Sequence, residues 1–443
     1  MGVFKYKFTL PLFVLISAGA YFLLGYHVPR TNFLVLITLF FVLFSSYFII
    51  IKNKTWQNNF SFLVVASVLF RAIFLFAEPL LSDDYFRFFW DGTLLANGIN
   101  PFSILPYDLI HSQEAVNVGL DKSIYEGLNS KKYYSVYPPI MQFVFALSSK
   151  FASGNLLGSI IIMRLVIICA EIGSVLLLVK LLKKLSIPRE NVFLYALNPL
   201  IIVELSGNLH FEAIMVFFMV LAFYLWMQSK PIASAIMFGL AIATKLIPLL
   251  FIPLIIRYLG WKKGMVFCAI SCGVCIILFL PFLSAQVIFN LSSSLELYFQ
   301  KFEFNASIYY LVRWIGYQTT GYNIISIAGK VLFVVTFLIV IVIAWSQKKK
   351  NLSELFGKML LCIAAYYFFS TTVHPWYMAL LVMLSVFTFW RFALVWSALI
   401  MLSYAAYSAF PYSENLALVA IEYGVVYLWM IYELKKHFQL NPV

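Results

Sequence analysis

The sequence predicts an all-α, polytopic transmembrane helical bundle of about 12–14 spans, and three observations lead to this fold class. Of the 443 residues, 63% are apolar and only 11% are charged, and the mean hydropathy is +0.93. A soluble domain could not expose so much apolar surface to water. The apolar residues form runs of about 20, the length that a helix needs to cross a bilayer. Short basic clusters separate these runs, as orientation signals do in membrane proteins.

The first three spans are predicted at roughly 8–26, 33–51 and 60–80. The lysines that flank the first two spans are Lys5, Lys7, Lys52 and Lys54. Because positive flanks favour the cytoplasmic side, the third span is expected to end at the outer face. Asp83 and Asp84 follow it directly.

Residues 82–136 form the longest polar segment, which we call the first loop. Two adjacent aspartates beside a membrane are costly unless something uses them, so Asp83 and Asp84 are candidate catalytic residues. The pattern of residues 85–96 predicts an amphipathic helix lying on the membrane interface. Within it, Arg87 and Asp91 are four residues apart, so they either pair on one helix face or take part in substrate binding.

The apolar run from Tyr137 to about residue 151 is predicted to be re-entrant or to lie flat. If it crossed, the basic residues near 180–189 would fall outside, against the positive-inside rule. Later spans are predicted at roughly 156–182, 191–206, 211–228, 232–246, 248–259, 264–284, 322–345, 353–373, 376–389, 391–410 and 415–434. With the first three they give about fourteen crossings, with both termini inside. No linker separates domains, so residues 1–443 are treated as a single integral membrane domain.

With this topology, the polar groups outside the basic clusters collect on the outer side. The candidates for substrate binding are Arg87, Asp91, Tyr137, Asn208, His210, Glu212, Lys245, Asn305, His374 and Trp376. A cavity that opens outward would collect polar groups in this way. Glu171 and Glu204 fall inside predicted spans and are interpreted as partners within the bundle.

Each candidate also has a structural interpretation. Lys245 either neutralises a phosphate or extends its ammonium to the interface. His210 and Glu212 either bind hydroxyl groups of a substrate, share a divalent metal ion with the first-loop aspartates, or are solvated residues after a capping Asn208. His374 and Trp376 either contact substrate or belong to the aromatic belt of the membrane interface.

Six short motifs follow one another in an informative order. They are S-D-D-Y-F-R-F-F-W-D-G-T-L-L-A-N-G-I-N-P-F from Ser82, Y-P-P from Tyr137, G-N-L-H-F-E from Gly207, T-K-L-I-P from Thr244, F-N-A-S from Phe304 and H-P-W-Y from His374. Together they resemble the GT-C superfamily of glycosyltransferases, most closely the polyprenol-phosphate-mannose-dependent mannosyltransferases of bacteria. The first mannosyltransferase of GPI-anchor synthesis is a more distant likeness. Its loop has D-x-D-Y where this chain has Ser82 in the first position, so the resemblance assigns Asp84 as the essential carboxylate and Asp83 as its support.

The resemblance implies an enzyme that moves a hexose, mannose in the closest likeness, from a polyprenyl-phosphate donor to a glycan or glycolipid acceptor. It places the active site at the outer face of the bacterial cytoplasmic membrane. The sequence has no G-x-G-x-x-G or P-loop fingerprint, which argues against nucleotide-sugar use, and no nucleic-acid partner is expected. No cofactor is assigned, and a divalent metal ion stays an open alternative. A lipid-linked glycan transporter and a polysaccharide ligase or polymerase are the alternative functions.

Overall fold

The computed structural model describes residues 2–54, 58–347, 351–409 and 412–440. The α-helices run Gly2–Tyr26, Phe33–Lys52, Phe60–Ala72, Asp84–Ala96, Pro106–Leu109, Gln113–Asn117, Lys122–Gly127, Pro139–Phe151, Leu156–Lys184, Phe193–Ala196, Pro199–Ile201, Glu212–Met227, Pro231–Thr244, Ile252–Leu259, Trp261–Phe279, Ala285–Lys301, Ile308–Thr320, Ile325–Trp345, Leu352–Phe369, Met378–Ser385, Phe392–Leu399 and Leu416–Leu440. A π-helical turn covers Ile202–Gly207, and 3₁₀ turns cover Arg189–Val192, Ile247–Phe251, Leu280–Phe282, Pro375–Tyr377 and Ile400–Ser408. The only β-type pairing within these ranges is an isolated bridge between Phe304 and Thr372. The all-α fold class is confirmed.

Seven helices within the described ranges are long and apolar enough to cross a membrane. They are Thr9–Tyr26, Phe33–Lys52, Leu156–Lys184, Trp261–Phe282, Ile325–Trp345, Leu352–Phe369 and Leu416–Lys436. An eighth crossing is added if Pro199–Gly207 and Glu212–Met227, which meet at 114°, form one broken span. The expected fourteen crossings exceed this number because several apolar runs are broken into shorter helices. Pro231–Thr244 and Phe60–Ala72 are examples, and helices of this length cannot cross about 30 Å of hydrocarbon alone.

The core of the bundle also holds a buried ion pair. Arg71 Nη2 lies 2.8 Å from Glu171 Oε2, and both side chains are almost completely buried. Arg71 Nη1 donates to the carbonyl of Ala196 at 2.8 Å, and the Tyr195 hydroxyl donates to Glu171 Oε1. The interpretation of Glu171 as a bundle partner is therefore confirmed. Its carboxylate is tolerated in the apolar interior because it is both paired and hydrogen-bonded.

The first loop is anchored by contact between two helices of 13 residues each, Asp84–Ala96 and Pro139–Phe151. A Cβ added at Gly92 would lie 2.3 Å from the Phe145 carbonyl oxygen, so the two backbones touch at this glycine. The rings of Phe88 and Phe145 stack at 4.6 Å. The first helix is consequently buried along most of its length, whereas an amphipathic surface helix would expose one polar face. Its position at the membrane interface stays a prediction. The second helix is too short to cross alone, as expected.

Candidate active site

The two aspartates of the first loop have different partners. Asp83 forms an ion pair with Arg30, which lies between the first two spanning helices and whose backbone N–H donates to the Leu80 carbonyl at 3.2 Å. Asp84 accepts a hydrogen bond from Asn129 Nδ2 at 2.8 Å, and none of the ion pairs between described residues includes it. Asp84 is half-buried. Of the two aspartates, Asp84 is therefore the one without a cation at contact distance among the described residues.

Two tyrosines connect this aspartate pair to the interior. The Arg30 guanidinium lies 4.5 Å from the centre of the Tyr407 ring. The Tyr407 hydroxyl is near enough to Asp83 and Asp84 to interact with them electrostatically. The Tyr404 ring lies 5.8 Å from that of Tyr407, and its hydroxyl donates to Glu204 Oε1 at 2.8 Å. We call Tyr404 and Tyr407 the tyrosine bridge, because they join the first loop to Glu204.

Glu204 lies in the π-helical turn, and such turns often mark functional sites. The carboxylate is completely buried and accepts from Asn208 Nδ2 at 3.2 Å. Its Oε2 also lies 3.4 Å from His210 Nε2, which is too long or poorly aligned for a hydrogen bond. Leu209, directly before the histidine, has a φ of 62°, a strained conformation for a branched side chain.

A buried arginine holds this turn in place. Arg164 Nε donates to the Ser206 carbonyl at 2.7 Å, and Nη2 donates to the Gly207 carbonyl at 3.0 Å. Arg164 Nη1 reaches the Leu75 carbonyl at 3.1 Å, which ties the turn to the segment that leads into the first loop. The guanidinium thus satisfies carbonyls that the irregular helix leaves unpaired.

Four rings form a stacked column beside Glu204. The ring centres of His210 and Trp376 are 3.8 Å apart, those of Trp376 and His374 4.3 Å, and those of His374 and Phe304 4.8 Å. His210 Nε2 and His374 Nδ1 are buried and have no hydrogen-bond partner among the described residues. Burial among the rings, with the charges of His210 and Lys245, lowers the pKa of His374 to about 3. His374 is therefore neutral near pH 7, with one nitrogen able to accept a hydrogen bond.

Lys245 has a partner that neither sequence interpretation anticipated. Its ammonium forms an ion pair with Glu212, whose side chain is 3% exposed, while that of Lys245 is 28% exposed. Lys245 Nζ also lies 5.2 Å from the centre of the Tyr377 ring, next to the column. A buried carboxylate therefore already compensates the lysine, and part of the ammonium remains open to a ligand.

Arg87 and Asp91 form the helical i,i+4 ion pair that was one of their two expected roles, with Nε 2.7 Å from Oδ1. Asp91 is completely buried and also accepts from Ser135 and from Gln142 Nε2 at 3.1 Å. Arg87 Nη1 donates to the Tyr133 carbonyl at 2.9 Å. These contacts fasten the end of the first loop to its first helix, so both charges are used within the protein.

Two further candidates are packed rather than open. The Tyr137 ring lies edge-on to Phe88 at 5.1 Å. Asn305 is completely buried, and its amide nitrogen Nδ2 donates to Glu422 Oε1 at 3.1 Å. The pairing of Phe304 with Thr372 nevertheless brings the Asn305 segment beside the ring column.

The structure thus brings Asp83, Asp84, His210, His374 and Trp376 into one connected cluster. Asn208, Glu212 and Lys245 flank it, while Asp91, Arg87 and Asn305 are engaged in internal contacts. No group of three or more His, Cys, Asp or Glu side chains within the described ranges could hold a metal ion. In the described part of the chain, the first-loop aspartates and the histidines therefore do not come together as ligands of one ion.

Several members of the cluster were missed from the sequence. Glu204 falls in an apolar run that indicated a plain span, and nothing in the sequence reveals its π-helical turn. Tyr404 and Tyr407 also lie in an apolar run without a distinguishing signal. Arg30 was detectable, because the predicted topology places it between the first two spans on the same side as Asp83.

The fold and the cluster define a polytopic helical membrane protein with a polar site built from the first loop and the ring column. Residues 14–260 match the family model described as "Alpha-(1->6)-mannopyranosyltransferase, N-terminal domain", and the chain belongs to this MptA/B family. It is also similar to Alpha-(1->6)-mannopyranosyltransferase A of Mycobacterium tuberculosis (strain ATCC 25618 / H37Rv). The two are 24% identical over 288 residues, which cover 61% of this chain and 51% of the relative. The chain thus spans about half the length of that curated relative.

Proposed function

We propose that this protein is a membrane mannosyltransferase that takes mannose from a polyprenyl-phosphate donor and transfers it to a glycan or glycolipid acceptor. Family membership and the activity for which the mycobacterial relative is named support the sugar and the reaction class. The observation that carries the proposal is the position of Asp84. It is a carboxylate without a contacting cation among the described residues, next to Asp83 and near the tyrosine bridge.

In the proposed reaction, the acceptor hydroxyl oxygen attacks the anomeric carbon of the donor sugar. The bond from that carbon to the phosphate oxygen breaks, and the polyprenyl phosphate leaves with the bonding electrons. Asp84 takes the hydroxyl proton as charge develops in an oxocarbenium-like transition state. Asp83 is held in its ion pair with Arg30, so it supports the local geometry rather than accepting the proton.

The departing phosphate needs positive charge, and two cations flank the cluster. Arg30 is 25% exposed and Lys245 is 28% exposed, so each combines an internal carboxylate partner with an open side. A phosphate oxygen that approaches either group gains a charge-assisted hydrogen bond. The Arg30 fork suits bidentate contact, while Lys245 acts as a point charge.

The ring column supports sugar binding. His210 Nε2 and His374 Nδ1 are buried and unpaired among the described residues, and a sugar hydroxyl would supply the missing partner. Trp376 lies between the two imidazoles and stacks on both, which fixes their orientation. A few directed polar groups in an otherwise apolar setting are typical of small-ligand sites.

The proposal also locates the site at the outer face of its membrane, and the charge pattern supports this location. Arg30 and the first loop lie at one end of the bundle, since Arg30 contacts both Leu80 and Asp83. The lysine clusters that precede the first span and follow the second are at the opposite ends of those spans. The positive-inside rule then gives the cluster an outer location.

A lipid-linked glycan transporter is the second candidate, and one observation favours it. The bend of 114° between Pro199–Gly207 and Glu212–Met227 resembles the broken helices of transporters. The polar residues of the cluster, however, collect near one end, whereas a transport path needs them through the whole thickness. A polysaccharide ligase or polymerase would also have its polar cluster near one end of the bundle. Its substrates would distinguish it from the proposed mannosyltransferase.

The deciding experiment compares Asp84→Asn and Asp83→Asn in purified protein supplied with polyprenyl-phosphate mannose and a glycan acceptor. Asparagine keeps the size of the side chain and removes the basic oxygen, so turnover of Asp84→Asn should fall about 100-fold or more while donor binding persists. Asp83→Asn should lower turnover less, because it removes only the ion pair with Arg30.

Loss of turnover in Asp83→Asn alone would mean that Asp83, and not Asp84, accepts the proton. Full activity in both variants would remove the first loop from the chemistry. Movement of lipid-linked glycan across vesicles without any transfer would favour the transporter.

A further inference from the structure

Glu422, on the helix Leu416–Leu440, is completely buried, and no ion pair between described residues includes it. Its Oε1 accepts from Trp396 Nε1 at 2.9 Å and from Asn305 Nδ2 at 3.1 Å. Its Oε2 has no hydrogen-bond partner in the described part of the chain. An isolated carboxylate in an apolar interior is strongly disfavoured, and such a group takes up a proton instead.

The partner amide has the complementary defect. Asn305 is completely buried, and its Oδ1 is also without a hydrogen-bond partner within the described ranges. The two orphaned oxygens thus belong to two side chains that already share one N–H···O bond. Left as two acceptors, they would repel each other and both would remain unsatisfied.

We infer that Glu422 is a neutral carboxylic acid whose Oε2–H donates to Asn305 Oδ1, completing a reciprocal acid–amide pair. One proton then satisfies both orphaned oxygens and removes the buried charge. Glu414 holds the same residue from its backbone, because it accepts a hydrogen bond from the Asn305 N–H at 2.6 Å.

The pair fixes a strained residue next to the ring column. Asn305 has a φ of 46°, and its carbonyl accepts from the Tyr423 hydroxyl at 2.7 Å. The preceding Phe304 exchanges backbone hydrogen bonds with residues 371 and 373, and its ring stacks on His374. Glu422 is accordingly a positioning residue for His374, acting through Asn305 and Phe304.

The test is infrared difference spectroscopy of the full-length protein against Glu422→Gln. The glutamine side chain can donate to Asn305 Oδ1 and accept from Asn305 Nδ2. It therefore makes the same two hydrogen bonds as a neutral carboxylic acid but has no carboxyl group. We expect the difference spectrum to lose a protonated-carboxyl C=O band that shifts in D₂O. Loss of carboxylate bands instead would overturn the inference. This readout needs no substrate, so it stands or falls separately from the proposed function.

The turnover measurement does rest on the proposed transferase activity. Glu422→Gln should keep turnover within about twofold of the unsubstituted protein. Glu422→Leu, which breaks both bonds to Asn305, should lower turnover by about tenfold to hundredfold by shifting His374. Equal loss in Glu422→Gln and Glu422→Leu would show that the negative charge matters and would overturn the inference. If Glu422→Leu does not fold, the infrared comparison with glutamine still decides.

Discussion

Three arginines of the described chain are almost completely buried, and each is matched by groups of the protein itself. Arg71 pairs with Glu171, Arg87 pairs with Asp91, and Arg164 binds three backbone carbonyls. Asp84 and the partly exposed cations of the cluster depart from this pattern. Groups whose charge is not fully used inside the protein are the ones available to a substrate.

Lys245 can be tested for a role beyond neutralising Glu212. Lys245→Met leaves a carboxylate that is 3% exposed without its cation, so the melting temperature should fall. Transfer should fall by about tenfold or more, since one charge-assisted hydrogen bond contributes about 1.5–3 kcal/mol. Thermal unfolding and steady-state kinetics with polyprenyl-phosphate mannose measure the two effects.

The matched control is the double variant Lys245→Met with Glu212→Gln, which removes both charges. It should recover thermal stability but not transfer. Recovery of full transfer in the double variant would mean that Lys245 serves only to compensate Glu212.

At the level of elements, irregular backbone builds the cluster. The π-helical turn at Ile202–Gly207 places Glu204, and an isolated bridge places Phe304 against the segment that carries His374. Hydropathy predicted a span through Glu204 because a window of apolar residues does not distinguish one long helix from several short turns. The motifs contain most of the residues that the structure brings into the cluster, while the internal partners of these residues depended on the turns.

The close contact between the helices Asp84–Ala96 and Pro139–Phe151 gives an element-scale prediction. Gly92→Ala would place a methyl group 2.3 Å from a backbone carbonyl that cannot rotate away, so the helices must separate. We expect a loss of stability of about 1–3 kcal/mol and reduced turnover, because Asp84 begins the displaced helix.

Gly273→Ala is the control, since a Cβ at this helical position meets no atom within 4 Å. It should be neutral or slightly stabilising, because alanine favours the helix by about 0.5–1 kcal/mol. Equal melting temperatures for Gly92→Ala and the unsubstituted protein would refute the contact.

For the whole molecule, composition and charge pattern predicted the helical membrane fold, and the motifs predicted the family. The number of crossings was not predictable, because helix ends and bends depend on packing between distant segments. The helices Ala285–Lys301 and Ile308–Thr320 were also missed, since their apolar residues are too few for a span. The first of them contacts the first loop, where Asn290 Nδ2 donates to the Phe102 carbonyl at 3.0 Å.

Orientation can be measured with single cysteines at Ser103, Ser292 and Ser346, all of which are exposed. In a chain without its native cysteines, an impermeant maleimide added to intact cells should label the first two positions. The third should react only after permeabilisation, because it precedes a lysine cluster. Labelling of Ser346 from outside would contradict the proposed orientation.

The contact between Arg30 and Tyr407 joins parts of the chain that the ribosome makes far apart in time. The matched family segment, residues 14–260, supplies the aspartates and His210, whereas Phe304, His374 and Trp376 follow it. A nascent chain that has not reached Trp376 holds the aspartates without the ring column. Premature termination in this region would therefore leave the aspartates and His210 without the rings that complete the proposed site.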